Sequence, residues 1–297
     1  MSDTPASAAG QARPATQPQG ATVDFACVGC GRCCTGHHVP LTLSEARDWC
    51  RDGGEIIILI EALLPEQVAA LPGAEAEHVL ARCGRAKSGG TRIRVAATFA
   101  AWNPGLCRNL DESFRCRIYE RRPMVCRIYP METNPHLPLR SERKDCPPEA
   151  WGKASAATPT TPSPLLRAGR VVDPDLAAVI ERSRLTDYAE AQSRVALCEA
   201  LGMTTAALRG DGFTTWRPER LRLLTLLDDV VDAGSRTKGD GDNGIGDTAP
   251  TNNWDFAAAS VAVAQAIADQ GADLTGAARS GAFAFVATTR APPAATG

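Results

Sequence analysis

From Thr91 the chain reads T-R-I-R-V-A-A-T-F, an alternation of polar and apolar positions that predicts a strand with one buried face. Upstream, "VPLTLSEARDWCRDGG" passes from a short β-prone segment into a helix. Thr42 and Glu45 stand at capping-box spacing, and Gly53 and Gly54 supply a left-handed stop. The run "EIIILIEALLPEQVAAL" has too little periodicity to separate a buried strand from a helix, and both readings stay open. "CRNLDESFRCRIY" reads as a hairpin turning near Asp111, Glu112 and Ser113, which draws Cys107 and Cys116 together. In "RRPMVCRIYP", Pro123 suits a helix start and Pro130 ends it, leaving about one or two turns that carry Cys126. Asp173 can cap "PDLAAVIERSRL", "DYAEAQSRVALCEAL" has helical spacing, and "RPERLRLLTLLDDVVDAG" ends in glycine. One Ala-rich helix and a tail follow, with no internal repeat.

Composition modifies this picture. Of 297 residues 44% are hydrophobic, enough for a core, but only 5% are aromatic, and 26 glycines and 21 prolines imply long linkers. The predicted organisation is a leader over 1–22, a cysteine-rich domain over 23–152, a linker over 153–168, a helical region over 169–232, a second linker over 233–252, and a helix with tail over 253–297. The fold class is α+β: a small metal-stabilised domain with few short strands, then a mainly helical C-terminal region. The opening "MSDTPASAAGQARPATQPQG" lacks the cationic start and apolar run of a secretory signal and reads as disordered. The most apolar windows fall short of the roughly 18 residues a membrane span needs. A net charge of -2 gives no whole-chain attraction to nucleic acid or to an anionic membrane. A cytoplasmic location is expected, where clustered thiols are more often metal ligands or catalytic groups than disulfides.

Eight of the 11 cysteines form a sparse pattern: Cys27, Cys30, Cys33 and Cys34 in "CVGCGRCC", then Cys107, Cys116, Cys126 and Cys146. A Cys-x-x-Cys turn lets two sulfurs converge on one ion while its backbone N–H groups donate to thiolate. Two overlapping turns of this kind match the start of a bacterial-type iron–sulfur loop, although the fourth cysteine is adjacent rather than spaced. Neighbouring side chains of an extended segment point to opposite sides, so Cys33 and Cys34 are expected to serve different centres. Eight thiols then divide into two four-ligand sites, or one cluster plus a zinc; spacing does not say which cysteines share a centre. Arg32, Arg108, Arg115, Arg117, Arg121, Arg122 and Arg127 crowd the region, where guanidinium groups would offset the charge of a thiolate centre. Cys50, Cys83 and Cys198 are isolated and read as buried small hydrophobes.

"CVGCGRCC", "CRNLDESFRCRIYERRPMVCRIYP" and "KDC" together resemble the YkgJ-type cysteine-cluster family, described as a zinc- or iron-chelating domain. The second motif is met at Cys116, Ile118, Tyr119, Arg122, Pro123, Cys126, Arg127 and Pro130. The resemblance runs from about Phe25 to Trp151 and implies metal ligation by the eight cysteines. Flagellin lysine N-methylases resemble the same motif, which implies a cluster beside a methyl-transfer activity.

His37 and His38 adjoin the cluster but are read as supporting residues, since eight thiols complete two tetrahedra. Tyr119 and Tyr129 are read as packing groups with their hydroxyls bonded at the rim. "GDGDNGIGD" lacks the strand–helix context of a phosphate loop and the ligand positions of an EF-hand, and reads as linker. Both Zn²⁺ and a 4Fe-4S cluster suit thiolate ligation, and the Cys-x-x-Cys-x-x-Cys run with the methylase resemblance favours iron–sulfur. Three function classes follow: a metal-binding protein with a structural or electron-transfer centre, a lysine N-methylase-like enzyme, and an interaction module with structural metal and a protein partner. Against the enzyme, no glycine-rich loop suited to an adenosyl cofactor is present.

Overall fold

The alternating segment forms strand β5 (Thr91–Ala101), with Ile93, Val95, Ala97 and Phe99 turned inward. The computed structural model describes residues 22–152, 162–237, 253–276 and 282–288. The expected leader and "GDGDNGIGD" lie outside these residues, as does most of each predicted linker.

In chain order the remaining strands are β1 (Val23–Phe25), β2 (Val39–Pro40), β3 (Ile56–Leu63), β4 (Gly84–Ser88), β6 (Ser163–Arg167), β7 (Arg170–Val171), β8 (Thr205–Leu208), β9 (Gly212–Trp216), β10 (Asp255–Ala257) and β11 (Ala284–Ala287). The helices are α1 (Leu43–Arg51), α2 (Pro65–Ala69), α3 (Gly73–Ala81), α4 (Met124–Ile128), α5 (Pro174–Leu201), α6 (Arg220–Thr237) and α7 (Val261–Asp269). The fold is therefore mixed α and β, built on a curled, mostly antiparallel sheet.

β3 and β5 pair antiparallel along the whole of β3, from Ile56 opposite Ala101 to Leu63 opposite Arg94. On its other edge β3 pairs with β9 through Ile58–Ile60 and with β8, in parallel, at Glu61 and Ala62. β5 takes β4 beside its start and β2 beside its end. The undecided run thus resolves into both alternatives, a strand then the short α2, with Pro65 marking the switch. β3 is buried nearly throughout, so it shows no period of two.

The predicted helices are present, but β8 to β11 are interleaved with them, so strands from both halves of the chain share one sheet. Within the 153–168 stretch, Ser163–Arg167 forms β6, which pairs with β1. Asp173 caps α5, a single 28-residue helix covering both predicted helical segments. α6 continues past Gly234, which a helix tolerates at about 1 kcal/mol. Among the described residues no helix is long and apolar enough to cross a membrane.

Trp254, Phe99, Phe256, Ile58 and Ile60 are fully buried at the centre of the core. Cys50 and Cys198 lie in the same core and Cys83 in a small cluster with Leu63 and Val79, as expected for isolated cysteines. His78 is also buried, its Nδ1 2.6 Å from the Tyr188 hydroxyl. Burial, aided by the Arg82 charge, drops its imidazole to about 4. Folded protein therefore refuses a proton that the unfolded chain accepts below about 6.5, and stability falls as pH drops from there towards 4. His78→Gln is expected to flatten this part of the pH profile of the urea midpoint; an unchanged profile would acquit His78.

Candidate metal centre

Cys34 and Cys107 are brought together by the edge of the sheet. The chain enters β2 just after the first four cysteines and leaves β5 just before Cys107. Pairing of Val39 with Ala101 and Pro40 with Ala100 continues beyond the ladder as a Thr35–Leu106 bridge. Gly36 N donates to Gly105 O (2.6 Å), and Cys107 N donates to Cys34 O (2.7 Å). Two residues remote in sequence are thus adjacent because both flank one pair of strands.

The Cys107–Cys116 loop turns at Asp111, as expected, but without strands. Asp111 Oδ1 accepts from Ser113 N and Arg115 N, both at 2.8 Å, and a single bridge joins Leu110 to Cys116. Phe114 at its tip has φ 59°, uncommon for a bulky residue. It covers Gly31, where an added Cβ would stand 3.0 Å from the Phe114 Cβ while Gly31 itself needs φ 67°. Gly31→Ala is expected to cost about 1 kcal/mol or more through backbone strain alone, read as a lower thermal midpoint.

Cys126 sits on α4, which follows Pro123 and stops before Pro130 as the prolines predict. Glu45 fixes this helix. Its Oε2 accepts from Thr42 N (3.0 Å) in the capping box of α1, and its Oε1 accepts from Met124 N (2.7 Å) at the start of α4. Cys146 is held from two sides: its carbonyl accepts from Trp151 Nε1 (3.4 Å), and its Sγ lies 3.6 Å from the Tyr129 hydroxyl. Ala26 N donates to Ala150 O (2.9 Å) and Phe25 packs on Trp151 (4.9 Å between ring centres), which ties the approach to Cys27 to the Cys146 loop.

Cys33 and Cys34 depart from the expected extended backbone. They lie in a 3₁₀ turn, Arg32–Cys34, and their sulfurs are 3.8 Å apart. With about three residues per turn, successive side chains diverge by roughly 120° rather than pointing to opposite faces. The hydrogen bond from Cys33, together with the Arg122 and His37 charges, lowers the Cys34 thiol to about 7, and the same pairing drives Cys33 upward. Burial, then Cys34 and Cys107, raises Cys126 to about 12. Burial is also the main cause that pushes up Cys107 and Cys146. The thiols repel one another's ionised forms, the electrostatic environment a cation would relieve.

All eight motif cysteines are half-buried or exposed, unlike the three in the core. Cys27, Cys33, Cys34, Cys107, Cys116 and Cys126 line a cavity of about 660 Å³. Among the described residues, no three His, Cys, Asp or Glu side chains are arranged to hold a metal ion. The thiols share a neighbourhood without converging on a point. The fit to a metal accordingly rests on donor chemistry, soft sulfurs in numbers suited to tetrahedral sites.

Of the seven arginines, Arg122 acts on Cys34 and Cys126, and Arg108 on Cys107. Arg115 pairs instead with Asp111 and Arg121 with Asp52. His38 accepts from Asn103 N (3.1 Å) and stacks on Trp102, a supporting role. His37 Nε2 is 3.0 Å from Asp145 Oδ2. Tyr119 is exposed beneath the Arg122 guanidinium, 3.8 Å from the ring centre, while Tyr129 meets Cys146. Sequence reasoning missed Glu45 as the anchor of α4 and Asp145 as the partner of His37; only adjacency to Cys146 singled out the latter.

Residues 26–147 match the CxxCxxCC family, whose description is "Putative zinc- or iron-chelating domain". No curated protein and no solved structure matches the chain.

Proposed function

We propose that this chain is a metal-binding protein in which Cys27, Cys30, Cys33, Cys34, Cys107, Cys116, Cys126 and Cys146 hold zinc or an iron–sulfur centre in a structural or electron-transfer role. The observation carrying this reading is the separation of the thiols into two populations. Three are buried among apolar side chains, whereas the eight of the motif are half-buried or exposed, and six of them, from four chain segments, line one cavity. Hydrophobic burial explains the first population and not the second. When bound, zinc would cross-link these loops and an iron–sulfur centre would add one-electron chemistry. The chain's own part is to bring Cys34 and Cys107 together on the β2–β5 edge, to place Arg122 beside Cys34 and Cys126, and to set the Tyr129 hydroxyl against Cys146.

The test is the metal and sulfide content of anaerobically purified full-length protein. Cys126→Ser is expected to lower metal per chain. Cys198→Ser is expected to keep its metal but lose about 1 to 3 kcal/mol of stability, because it buries a hydroxyl among apolar neighbours. Metal-free wild type that stays metal-free after reconstitution with zinc, or with iron and sulfide, would end this reading.

A further inference from the structure

We propose that a second cavity, between α5, the end of α3 and the starts of α1 and α4, is a binding site for a small oxyanion, held by Arg82, Arg184, Arg194 and His78. No cysteine lines it, and it owes nothing to the metal centre.

The cavity measures about 220 Å³, far more than the roughly 30 Å³ one water occupies in the liquid. Distant parts of the chain bring their charged groups to it: Glu45 from α1, Arg82 just past α3, and Arg184, Asp187 and Arg194 from α5. His78 and Arg194, two of the lining residues, are each 6% exposed. Each keeps one nitrogen, Nε2 of His78 and Nε of Arg194, buried and without a hydrogen-bond partner among the described residues. Folded proteins rarely leave buried polar atoms unpaired, so two of them lining one cavity point to a ligand that pairs with them.

The balance of donors and acceptors identifies the ligand's chemistry. The carboxylates at the cavity are already engaged. Asp187 accepts from Arg82 Nε and from Arg194 Nη1 (2.7 Å), and Glu45 accepts from the backbone N–H groups of Thr42 and Met124. The guanidinium groups are not. Arg82 spends only its Nε on Asp187, and Arg184 spends its Nε on the Thr133 carbonyl (2.6 Å), with Nη1 no nearer than 3.7 Å to Glu181. Terminal nitrogens of both side chains are thus available to a ligand. Arg82 and Arg184 are half-buried, which suits a mouth open to solvent, whereas His78 and Arg194 make the inner wall. His78 Nδ1 lies 2.6 Å from the Tyr188 hydroxyl; with that hydroxyl donating, Nε2 carries the imidazole hydrogen and is a further donor. A metal cation would need free carboxylate oxygens. Unspent guanidinium forks beside an imidazole N–H instead suit the acceptor-rich oxygens of a phosphate or carboxylate group.

Titration of full-length metal-loaded protein with inorganic phosphate and, separately, with acetate tests the site. Ionic strength is held constant with sodium chloride near neutral pH, and the thermal midpoint is followed. A saturable rise is expected with at least one of the two anions, and none with acetamide, the uncharged counterpart of acetate. Arg82→Met and Arg184→Met are each expected to raise the half-saturating concentration about tenfold or more, whereas Arg92→Met, at an exposed position of β5, is expected to leave it unchanged. NMR spectra of the four imidazole rings locate the site in wild type. The anion is expected to move the His78 resonances and to leave those of His37 and His38 in place. Should either arginine variant fail to fold, these spectra decide. No saturable response to either anion, an equal response to acetamide, or resonance changes confined to His37 and His38 would overturn the assignment. So would a loss in Arg92→Met as large as in Arg184→Met.

Discussion

Full-length protein stripped of metal is expected to keep its sheet and to lose amide protection across residues 26–38 and 103–152. The two regions are held together differently. β3, β5, β8 and β9 enclose a core of fully buried aliphatic and aromatic side chains. In residues 103–152, by contrast, the buried apolar residues are Ile128, Ala150 and the prolines Pro123, Pro130 and Pro147, and the regular structure is α4 and short 3₁₀ turns. Such a region has little apolar burial to offset its conformational entropy. Structural zinc contributes on the order of 10 to 16 kcal/mol in small domains, more than enough to account for its order. Hydrogen exchange on metal-free and reconstituted protein checks this. Equal protection of peptides spanning Cys107 to Cys146 in both forms would show that the loops stand without metal. A fragment ending at 152 is a poor test, because it deletes β8 and β9 from the edge of β3.

Arg194→Met is expected to destabilise the protein by about 3 to 5 kcal/mol, the usual consequence of removing one partner from a buried charge network. Arg194 is 6% exposed and donates to Asp187 (2.7 Å), Glu190 (2.8 Å) and the Leu41 carbonyl (3.3 Å). Glu190 in turn accepts from Leu43 N, at the start of α1. Burial pushes the Glu190 carboxyl up despite Arg194, and loss of the guanidinium would push it further. Urea unfolding of full-length metal-loaded protein provides the measurement. A change under 1 kcal/mol with an unaltered slope would show that the network is dispensable to the fold.

The features legible in the sequence were those whose causes are local. Thr42 and Glu45 lie three residues apart, so their capping box could be read directly. Pro123 and Pro130 bound α4 by the geometry of the proline ring, and β5 declares its buried face by alternation. Thiol burial was equally local: the isolated Cys50, Cys83 and Cys198 are core residues, and the motif cysteines are half-buried or exposed. What stayed hidden depends on partners. β8, β9 and β10 are strands of only three to five residues whose reason to exist is an open edge on a sheet formed elsewhere in the chain. Likewise the backbone at Cys33 and Cys34 is not dictated by "RCC". The 3₁₀ turn follows a left-handed Gly31 lying under Phe114, a residue of a different loop.

The β2–β5 pairing also sets which chain lengths can vary. Between Pro40 and Ala100 the polypeptide makes a long excursion through α1, β3 and β4, and its length has no bearing on where Cys34 meets Cys107, since both ends return to the same rung. The short spacers from Cys34 to Val39 and from Ala101 to Cys107 are different. They run side by side, so one extra residue in either would displace the Thr35–Leu106 and Gly36–Gly105 pairings and carry one cysteine past the other. The sheet edge acts as a gauge: insertions in the excursion leave the thiols in step, and a single insertion beside the edge puts them out of step.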